Sequence, residues 1–326
     1  MRCVRAHGAL ALDDYAIDEV ADPDPGPGEV RVRVMACGVG YVDALHALGR
    51  YQVRAPLPFT PGVEVAGVVD ALGPGVEGVR LGDRVLPLVS VDGGFAERVL
   101  APAAQLARIP DALSFEAAAA VRSSTLTALH ALRDRARLKP GETVLVFGAA
   151  GGIGSGAVQV ARLLGARVVA VASTAERRAF AARLGAEATL DVDPDGWRDR
   201  LKAACGGRGP NVIVDPVCGP LFDAAFRSLA WGGRHLVIGF VGGPIPSLSA
   251  NLPLLKGAAL VGVDIRQFNR NEPEAAEDNR RQLRRWLADG ALNPQVGAVF
   301  GFDRFREALA HAAAGAGGGK TILRIG

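Results

Sequence analysis

Residues 143–154 read Thr-Val-Leu-Val-Phe-Gly-Ala-Ala-Gly-Gly-Ile-Gly, a short apolar run followed directly by a glycine-rich turn. The next residues, 157–164, show the apolar spacing of a helix, which ends at Gly165. A strand, a glycine turn and a helix in this order form a phosphate site, because bare glycines admit a pyrophosphate and the helix N-terminus offers unpaired N–H groups. The stretch therefore predicts a dinucleotide site. Its candidate pyrophosphate residues are Gly151, Gly152, Ile153 and Gly154.

The glycine pattern fits this turn in two registers. The motif G-x-G-x-x-G can be placed on 149–154, with Ala149 at the first position. The variant G-x-G-x-x-A can be placed on 152–157. The sequence alone leaves both registers open.

Cofactor choice depends on the end of the second strand, about 20 residues further on, where NAD-preferring sites carry an Asp or Glu. This chain has Ala172, Ser173 and Thr174 there, with no carboxylate to repel a 2′-phosphate. Arg177 follows one helical turn later and can pair with that phosphate. Ser173 and Glu176 also have the spacing of a capping box, which is compatible with a phosphate at the same helix start. We therefore expect NADP(H), bound through Ser173 and Arg177.

The first third of the chain contains valine-rich runs separated by Gly and Pro: 29–34 alternate with period two, and 63–69 follow a Pro-Gly turn. From about residue 119, apolar strands alternate with alanine-rich helices, which is typical of a doubly wound parallel sheet. The predicted strands are 143–147, 167–172, 212–214, 235–238 and 259–263, and the predicted helices are 117–132, 157–164, 175–184 and 222–229. Beyond them we predict a helix over 274–287, a segment over 302–313 and a closing strand over 321–325.

The expected fold class is α/β with two domains, a number that 326 residues accommodate. A β-rich domain over 1–118 is completed by 264–326, and a nucleotide-binding domain covers 119–263.

Composition excludes several other classes of protein. The net charge of +3, without a basic cluster, argues against nucleic acid as a partner. No apolar run reaches about 18 residues and the first residues do not resemble a leader, so we expect a cytoplasmic protein without a membrane partner. The five histidines, His235 among them, stand isolated, which gives hydrolytic chemistry little support. Four cysteines without a C-x-x-C pair are expected to be reduced thiols: Cys3, Cys37, Cys205 and Cys218.

The chain also resembles a known family along nearly its whole length. The matching segments are 27–32, 36–39, 61–68, 82–85, 138–142 and the glycine turn. They resemble the zinc-independent, zeta-crystallin-like NADPH:quinone oxidoreductase branch of the medium-chain dehydrogenase/reductase family. The resemblance implies a GroES-like, β-rich catalytic domain and a Rossmann domain. It also implies a homodimer, in which the last Rossmann strand, 259–263, pairs with its twofold mate.

The same resemblance implies positions for the nicotinamide end of the cofactor. Thr127 lies near the nicotinamide, and Val217, Gly239 and Phe240 flank its ribose end. Tyr41, Tyr51 and Thr127 are the candidates for the substrate pocket, with no catalytic residue assigned. The chain departs from residues that are common in the family at Gly40, Arg122 and Val192, where Asn, Pro and Tyr are usual.

No metal is expected. Zinc-dependent members of the family have a ligand Cys where this chain has Gly40, and a ligand His where it has Val63, ahead of the retained Glu64. The cysteines of their structural zinc lobe are also missing after 82–85. Glu64 is then interpreted as a structural or pocket-floor carboxylate and not as a metal ligand.

Without a metal to polarise an alcohol or ketone, the resemblance implies hydride transfer from NADPH to an activated acceptor, a quinone or an α,β-unsaturated carbonyl. One alternative is an enoyl-thioester (enoyl-CoA) reductase. A phosphorylated carrier would then need basic residues, for which the candidates are Arg50, Arg54, Arg122 and Arg266. Another alternative, of a different class, is a non-catalytic NADPH-binding sensor or structural protein.

Overall fold

The computed structural model describes residues 1–8, 11–51, 56–89 and 93–326. It divides the chain into two compact units: unit 1 comprises 1–122 and 284–326, and unit 2 comprises 123–283. The predicted division assigned 264–283 to the first domain. In the structure these residues belong to unit 2, where the ring of Phe268 stacks on His130 at 3.9 Å between centroids and Asn279 Nδ2 donates to Asp134 Oδ2 at 2.7 Å.

The strands have the following bounds: β1 Arg2–Ala6, β2 Tyr15–Glu19, β3 Glu29–Val39, β4 Val65–Leu72, β5 Arg84–Pro87, β6 Arg98–Pro102, β7 Leu106–Arg108, β8 Thr143–Phe147, β9 Arg167–Val171, β10 Ala188–Leu190, β11 Val212–Asp215, β12 Arg234–Val237, β13 Ala259–Gly262, β14 Val296–Gly301 and β15 Lys320–Arg324.

The α-helices are α1 Tyr41–Ala47, α2 Phe115–Ala119, α3 Arg122–Leu129, α4 Gly152–Leu163, α5 Ala175–Arg183, α6 Trp197–Ala204, α7 Phe222–Ser228, α8 Asn251–Lys256, α9 Ile265–Asn271, α10 Pro273–Ala288 and α11 Phe305–Ala313. A π-helical turn covers His130–Arg135, and 3₁₀ turns cover Leu12–Asp14, Ala103–Gln105 and Phe302–Arg304. No helix within the described ranges is both long and apolar enough to cross a membrane.

Unit 1 is built around a mainly antiparallel sheet with the order β14-β15-β3-β4-β5-β7, and β6 also pairs with β3. The alternation predicted for 29–34 is visible as burial, because Val30, Val32 and Val34 are buried and the arginines between them are less so. The closing strand β15 lies antiparallel to β3, with Thr321 opposite Val39. This sheet is the β-rich, GroES-like domain that the sequence predicts.

Unit 2 contains a parallel sheet with the order β10-β9-β8-β11-β12-β13, in which every pair is parallel. Numbered from β8, this is the doubly wound order 3-2-1-4-5-6 of a Rossmann domain. All five residues of β8 are buried, as expected for a central strand that is covered on both faces. The chain reverses its direction of progress between β8 and β11, which is where such sheets bind ligands.

The predicted strand 143–147 is confirmed, and most other predicted elements of unit 2 differ from the structure by one residue at an end. The helix predicted over 117–132 is wrong as a single element. It is divided into α2, α3 and the π-helical turn because the N–H groups of Ala120 and Val121 donate three residues back, to Ala117 and Ala118, which tightens and closes the first helix. The prediction also missed β10, α6, α8 and α9.

Candidate functional site

The glycine turn lies at the carboxyl end of β8. Gly148 has φ +57°, a left-handed conformation that favours glycine, and its carbonyl accepts from the N–H of Gly151 at 2.9 Å. Gly151 is the N-cap of α4. A Cβ on Gly154 would overlap the carbonyl oxygen of Gly148, so α4 can approach the turn this closely only because residue 154 is glycine. This is the helix-packing role of the last glycine in the motif, which favours the register 149–154.

The helix that follows the turn is longer than predicted. It begins at Gly152, and not near 157, so the first N–H groups of α4 belong to Gly152, Ile153 and Gly154. The predicted pyrophosphate residues therefore form the N-terminal turn of α4. A 12-residue helix presents a partial positive charge there, which suits an anionic group.

The end of β9 is free of carboxylates. Ser173 and Thr174 are exposed there, and Arg177 Nη1 lies 3.5 Å from Ser173 Oγ. The predicted capping role of Ser173 is wrong: Thr174 is the N-cap of α5, and its Oγ1 accepts from the N–H of Arg177 at 3.2 Å. Arg178, which the sequence interpretation missed, donates from Nη1 to the carbonyls of Ala172 and Ser173 at 3.2 and 3.4 Å. Two guanidinium groups therefore lie at this turn.

The loop after β11 contacts the glycine turn, and the loop after β12 packs on the loop after β11. Gly242 N–H donates to the Val217 carbonyl at 2.8 Å, and a Cβ on Gly239 would lie 3.1 Å from the carbonyl oxygen of Pro216. A Cβ on Gly148 would lie 3.1 Å from Val217 Cγ2. The structure thus brings three of the predicted segments together at the carboxyl edge of the sheet. Phe240, in the loop after β12, is exposed.

Thr127 is a buried residue of α3. This helix packs closely on α4, because a Cβ on Gly156 would lie 2.7 Å from Ser124 Cβ. Thr127 follows Ser124 by one helical turn, so it belongs to the helix that supports the start of α4.

Tyr41 and Tyr51 lie in unit 1 at the two ends of one short segment. Tyr41 is the first residue of α1. The ring of Tyr51 lies 4.2 Å from that of His46, which in turn lies 6.0 Å from Phe59. Of the candidates for a carrier site, Arg50 and Arg266 are exposed and Arg54 lies outside the described residues.

Unit 1 also contains a buried charge cluster, which we define as Asp43, Glu64, Arg122 and Lys320. Lys320 Nζ lies 2.9 Å from Glu64 Oε2, and their side chains are 11% and 1% exposed. Asp43 Oδ2 accepts from Gly40 N–H at 2.7 Å, and Arg122 Nη2 donates to the Val63 carbonyl at 2.7 Å. The sequence interpretation missed Lys320 and offered Arg122 as a carrier ligand. Arg122 is instead buried within the cluster.

Burial and charge oppose each other in this cluster. Burial alone would lower the pKa of Lys320, but the charges of Glu64 and Asp43 outweigh it and raise that pKa. Burial lowers the pKa of Arg122, against the opposing effect of the two carboxylates. Burial raises the pKa of Asp43, and the Lys320 ammonium opposes this shift. The four groups therefore compensate one another as two anions and two cations.

Two family descriptions match this chain. Residues 26–111 match the alcohol dehydrogenase GroES-like domain, and residues 152–279 match the zinc-binding dehydrogenase family. The first match falls in unit 1 and the second in unit 2.

The name of the second family implies zinc, but the described residues around Gly40, Val63 and Glu64 do not fit a zinc ion. Gly40 and Val63 carry no ligand atoms, and Lys320 Nζ lies 3.2 Å from the place of a Cβ on Gly40. An ammonium group that is already paired with Glu64 repels a second cation there. No group of three or more His, Cys, Asp or Glu side chains among the described residues is arranged to hold a metal.

The known proteins with related sequences include quinone oxidoreductases. The chain is 37% identical over 310 residues to mouse quinone oxidoreductase-like protein 2, covering 95% of this chain and 88% of the relative. Among solved structures, the Thermus thermophilus quinone oxidoreductase, also determined as its complex with NADPH, has a TM-score of 0.86 and 35% identity over the full length of both chains. An NAD-dependent alcohol dehydrogenase has a TM-score of 0.92 and 29% identity, again over both full lengths. The chain therefore belongs to the quinone oxidoreductases of the medium-chain dehydrogenase/reductase family and is an oxidoreductase.

Proposed function

We propose that this chain is an NADPH-dependent reductase that transfers hydride to a quinone or an α,β-unsaturated carbonyl without zinc. The observation that carries the proposal is the end of β9, which has no carboxylate and where Ser173, Arg177 and Arg178 lie. The strand β9 is the neighbour of β8, which the glycine turn follows. A ribose 2′-OH would call for an acceptor at this position, whereas a 2′-phosphate calls for the donors that are present.

The residues of unit 2 fit the whole dinucleotide. The N-terminal turn of α4 would hold the pyrophosphate through the N–H groups of Gly152, Ile153 and Gly154, with Gly151 as the N-cap, whose own N–H donates to the Gly148 carbonyl. Arg177 would pair with the 2′-phosphate, and Thr127, Val217, Gly239 and Phe240 would surround the nicotinamide end. When bound, NADPH supplies the hydride.

The relatives support different cofactors. The structures of the Thermus thermophilus protein include its complex with NADPH, whereas the alcohol dehydrogenase among the structural neighbours is described as NAD-dependent. We give more weight to the residues at the end of β9 in this chain, because the ribose substituent is recognised there.

The buried charge cluster supports the zinc-independent part of the proposal. Lys320 supplies a positive charge beside Glu64 and Asp43 where zinc-dependent relatives would place metal chemistry. An ammonium group that is engaged by Glu64 does not act as a Lewis acid on an alcohol. The acceptor must then be activated by its own conjugation, as quinones and enones are.

An acceptor panel tests this function. The oxidation of NADPH is followed with 1,4-benzoquinone, 9,10-phenanthrenequinone, cyclohex-2-enone and crotonyl-CoA, each with and without EDTA. We expect the largest kcat/KM with a quinone or the enone, unchanged by EDTA. A kcat/KM for crotonyl-CoA far above the others would instead support an enoyl-thioester reductase. Tight NADPH binding without any turnover would support a non-catalytic sensor.

We also propose that two copies pair through β13. This strand ends the parallel sheet, so one of its edges has no neighbouring strand within the described part of unit 2. Leu260 on β13 is 42% exposed; Trp231, which lies in the turn before β12 and packs against Gly257 ahead of β13, is 84% exposed. An open apolar edge favours pairing with a second strand, and a twofold axis satisfies both copies at once.

A further inference from the structure

Asp215, at the carboxyl end of β11, forms a buried pair with His235, which lies near the amino end of β12. Asp215 Oδ2 lies 2.9 Å from His235 Nε2, and the two residues are 1% and 0% exposed. Asp215 is the last residue of β11. His235 is on β12, opposite Ile213, so that the two side chains fall on the same face of the sheet. The sequence interpretation treated His235 as isolated because nothing local connects the pair.

The second carboxylate oxygen of Asp215 holds the loop that follows β11. Asp215 Oδ1 accepts from the N–H of Val217 at 2.9 Å and from the N–H of Cys218 at 2.7 Å. Cys218 has φ +48°, a left-handed conformation that costs a non-glycine residue about 1 kcal/mol or more. The two hydrogen bonds from one carboxylate offset this cost and fix the loop.

This loop connects to the glycine turn and to the loop after β12. The Val217 side chain approaches Gly148, and the Val217 carbonyl accepts from Gly242 N–H at 2.8 Å. A Cβ on Gly242 would lie 2.8 Å from Val217 Cγ1, so residue 242 must be small for the two loops to pack. The carboxylate of Asp215 therefore determines where three loops meet.

His235 is placed to donate to Asp215. Its ring lies 4.7 Å from that of Phe222 and 6.2 Å from that of Phe226, and its Nδ1 has no hydrogen-bond partner within the described residues. We assign the proton to Nε2, because a carboxylate accepts and a buried N–H on Nδ1 would lack an acceptor. The imidazole thus orients the Asp215 carboxylate through this hydrogen bond.

We propose that Asp215, oriented by His235, is a positioning residue that presents Val217 and its loop to the nicotinamide end of the dinucleotide. This inference rests on the proposed function, because it requires NADP(H) at the carboxyl edge of the sheet. The adenosine end is recognised at β9, on the other side of β8 from β11. A disturbance of the pair should therefore affect hydride transfer and leave recognition of the 2′-phosphate intact.

The test compares His235→Phe, which removes the donor, with His235→Gln, whose side-chain amide retains one. His311→Phe is a matched control in unit 1. The measurements are kcat and KM with NADPH and 1,4-benzoquinone, the primary isotope effect with NADPH deuterated at C4, and the affinity for 2′,5′-ADP, which carries only the adenosine end. Circular dichroism establishes that each variant is folded at the assay temperature.

We expect His235→Phe to lower kcat about 10- to 100-fold with a larger isotope effect, because a displacement of about 1 Å has this effect on hydride transfer. Its affinity for 2′,5′-ADP should stay within about twofold of wild type, since no contact at β9 changes. His235→Gln should recover most of kcat, and His311→Phe should match wild type.

An unchanged kcat in folded His235→Phe overturns the inference. So does an equal loss in His235→Gln, or a parallel loss of affinity for 2′,5′-ADP. If His235→Phe does not fold, Asp215→Asn takes its place. The amide oxygen of that variant still accepts from the N–H groups of Val217 and Cys218, whereas its NH₂ group opposes the proton on His235. A wild-type kcat in Asp215→Asn also overturns the inference. If wild type turns over NADPH normally and all variants match it, only the positioning role is refuted. If wild type does not bind NADPH, the proposed function is refuted as well.

Discussion

Replacing Lys320 by methionine removes the ammonium from the buried charge cluster while retaining an unbranched side chain of similar length. The change leaves Glu64, whose side chain is 1% exposed, without its partner at 2.9 Å. Asp43 loses the same compensating charge. We expect the folded protein to be destabilised because an ionised carboxylate is poorly solvated in this position.

The size of the effect follows from the geometry. A separation of 2.9 Å corresponds to a gross attraction of about 6 kcal/mol at an effective dielectric constant of about 20. Removing one partner of a buried pair costs about 3–5 kcal/mol in net free energy of unfolding. Arg122 also interacts with Glu64, so we expect a loss of about 3 kcal/mol, the lower end of this range.

Urea unfolding of wild type, Lys320→Met, Glu64→Gln and the double variant measures this loss as a double-mutant cycle. The double variant carries neither charge, so it should be more stable than Lys320→Met by about 2 kcal/mol. The pH dependence has a definite sign. Because the folded-state pKa of Lys320 is raised, its stabilisation is present below about 10.5, its ordinary value, and is lost as the pH rises through the raised value. Lys320→Met should lack that alkaline loss.

Two results would refute this reasoning. One is a Lys320→Met protein within about 1 kcal/mol of wild type, since that is the range of an exposed ion pair. The other is strict additivity of the two single changes, which would mean that Lys320 and Glu64 do not interact.

Three further outcomes follow from single positions. Gly154→Ala should destabilise unit 2 and weaken NADPH binding more than Gly151→Ala, because a Cβ at 154 overlaps the Gly148 carbonyl oxygen whereas one at 151 lies 3.3 Å from it. Thermal unfolding measures the stability and NADPH fluorescence titration the binding. Equal effects of the two changes would contradict the helix-packing role of Gly154. Leu260→Arg should shift the protein from dimer to monomer in sedimentation velocity, and a wild type that is already monomeric would exclude pairing through β13. Burial, and to a smaller extent the charge of Asp215, raises the pKa of the Cys218 thiol to about 12. Alkylation of Cys218 by iodoacetamide in the native protein should therefore be slow near neutral pH and become faster as the pH approaches that value. Rapid alkylation at neutral pH, measured by mass spectrometry, would contradict the buried position of Cys218.

Local features of the sequence were sufficient to predict most of the Rossmann unit. The strand 143–147 is an uninterrupted apolar run, and the glycine turn and helix after it have recognisable spacing, so neighbouring residues determine the structure there. The strand β10 was missed because three residues, Ala-Thr-Leu, carry no periodicity. The helix α6 was missed although its buried Trp197 and Leu201 are spaced by one turn, a signal that a search for i, i+4 apolar pairs would have found.

The candidate site was predictable only where it is local. The glycine turn and the carboxylate-free turn after β9 follow from consecutive residues, although α4 begins at Gly152 and not near 157, and the helix cap at Thr174 was misplaced by one position. The pairs Glu64–Lys320 and Asp215–His235 were not predictable, because each joins residues whose proximity depends on strand pairing and not on spacing. Arg122 was likewise interpreted as a residue that could hold a phosphorylated carrier, because the sequence alone does not show that the fold buries it.

The direct test of NADP(H) as the cofactor is a calorimetric titration of wild type and Arg177→Ala with NADPH and with NADH. We expect wild type to bind NADPH at least about tenfold more tightly than NADH, and Arg177→Ala to lose about 10- to 100-fold in NADPH affinity, the contribution of a charge-assisted hydrogen bond, with NADH affinity unchanged. Equal or tighter binding of NADH by wild type, or an Arg177→Ala variant that keeps the full preference for NADPH, would contradict the assignment of the 2′-phosphate to the end of β9.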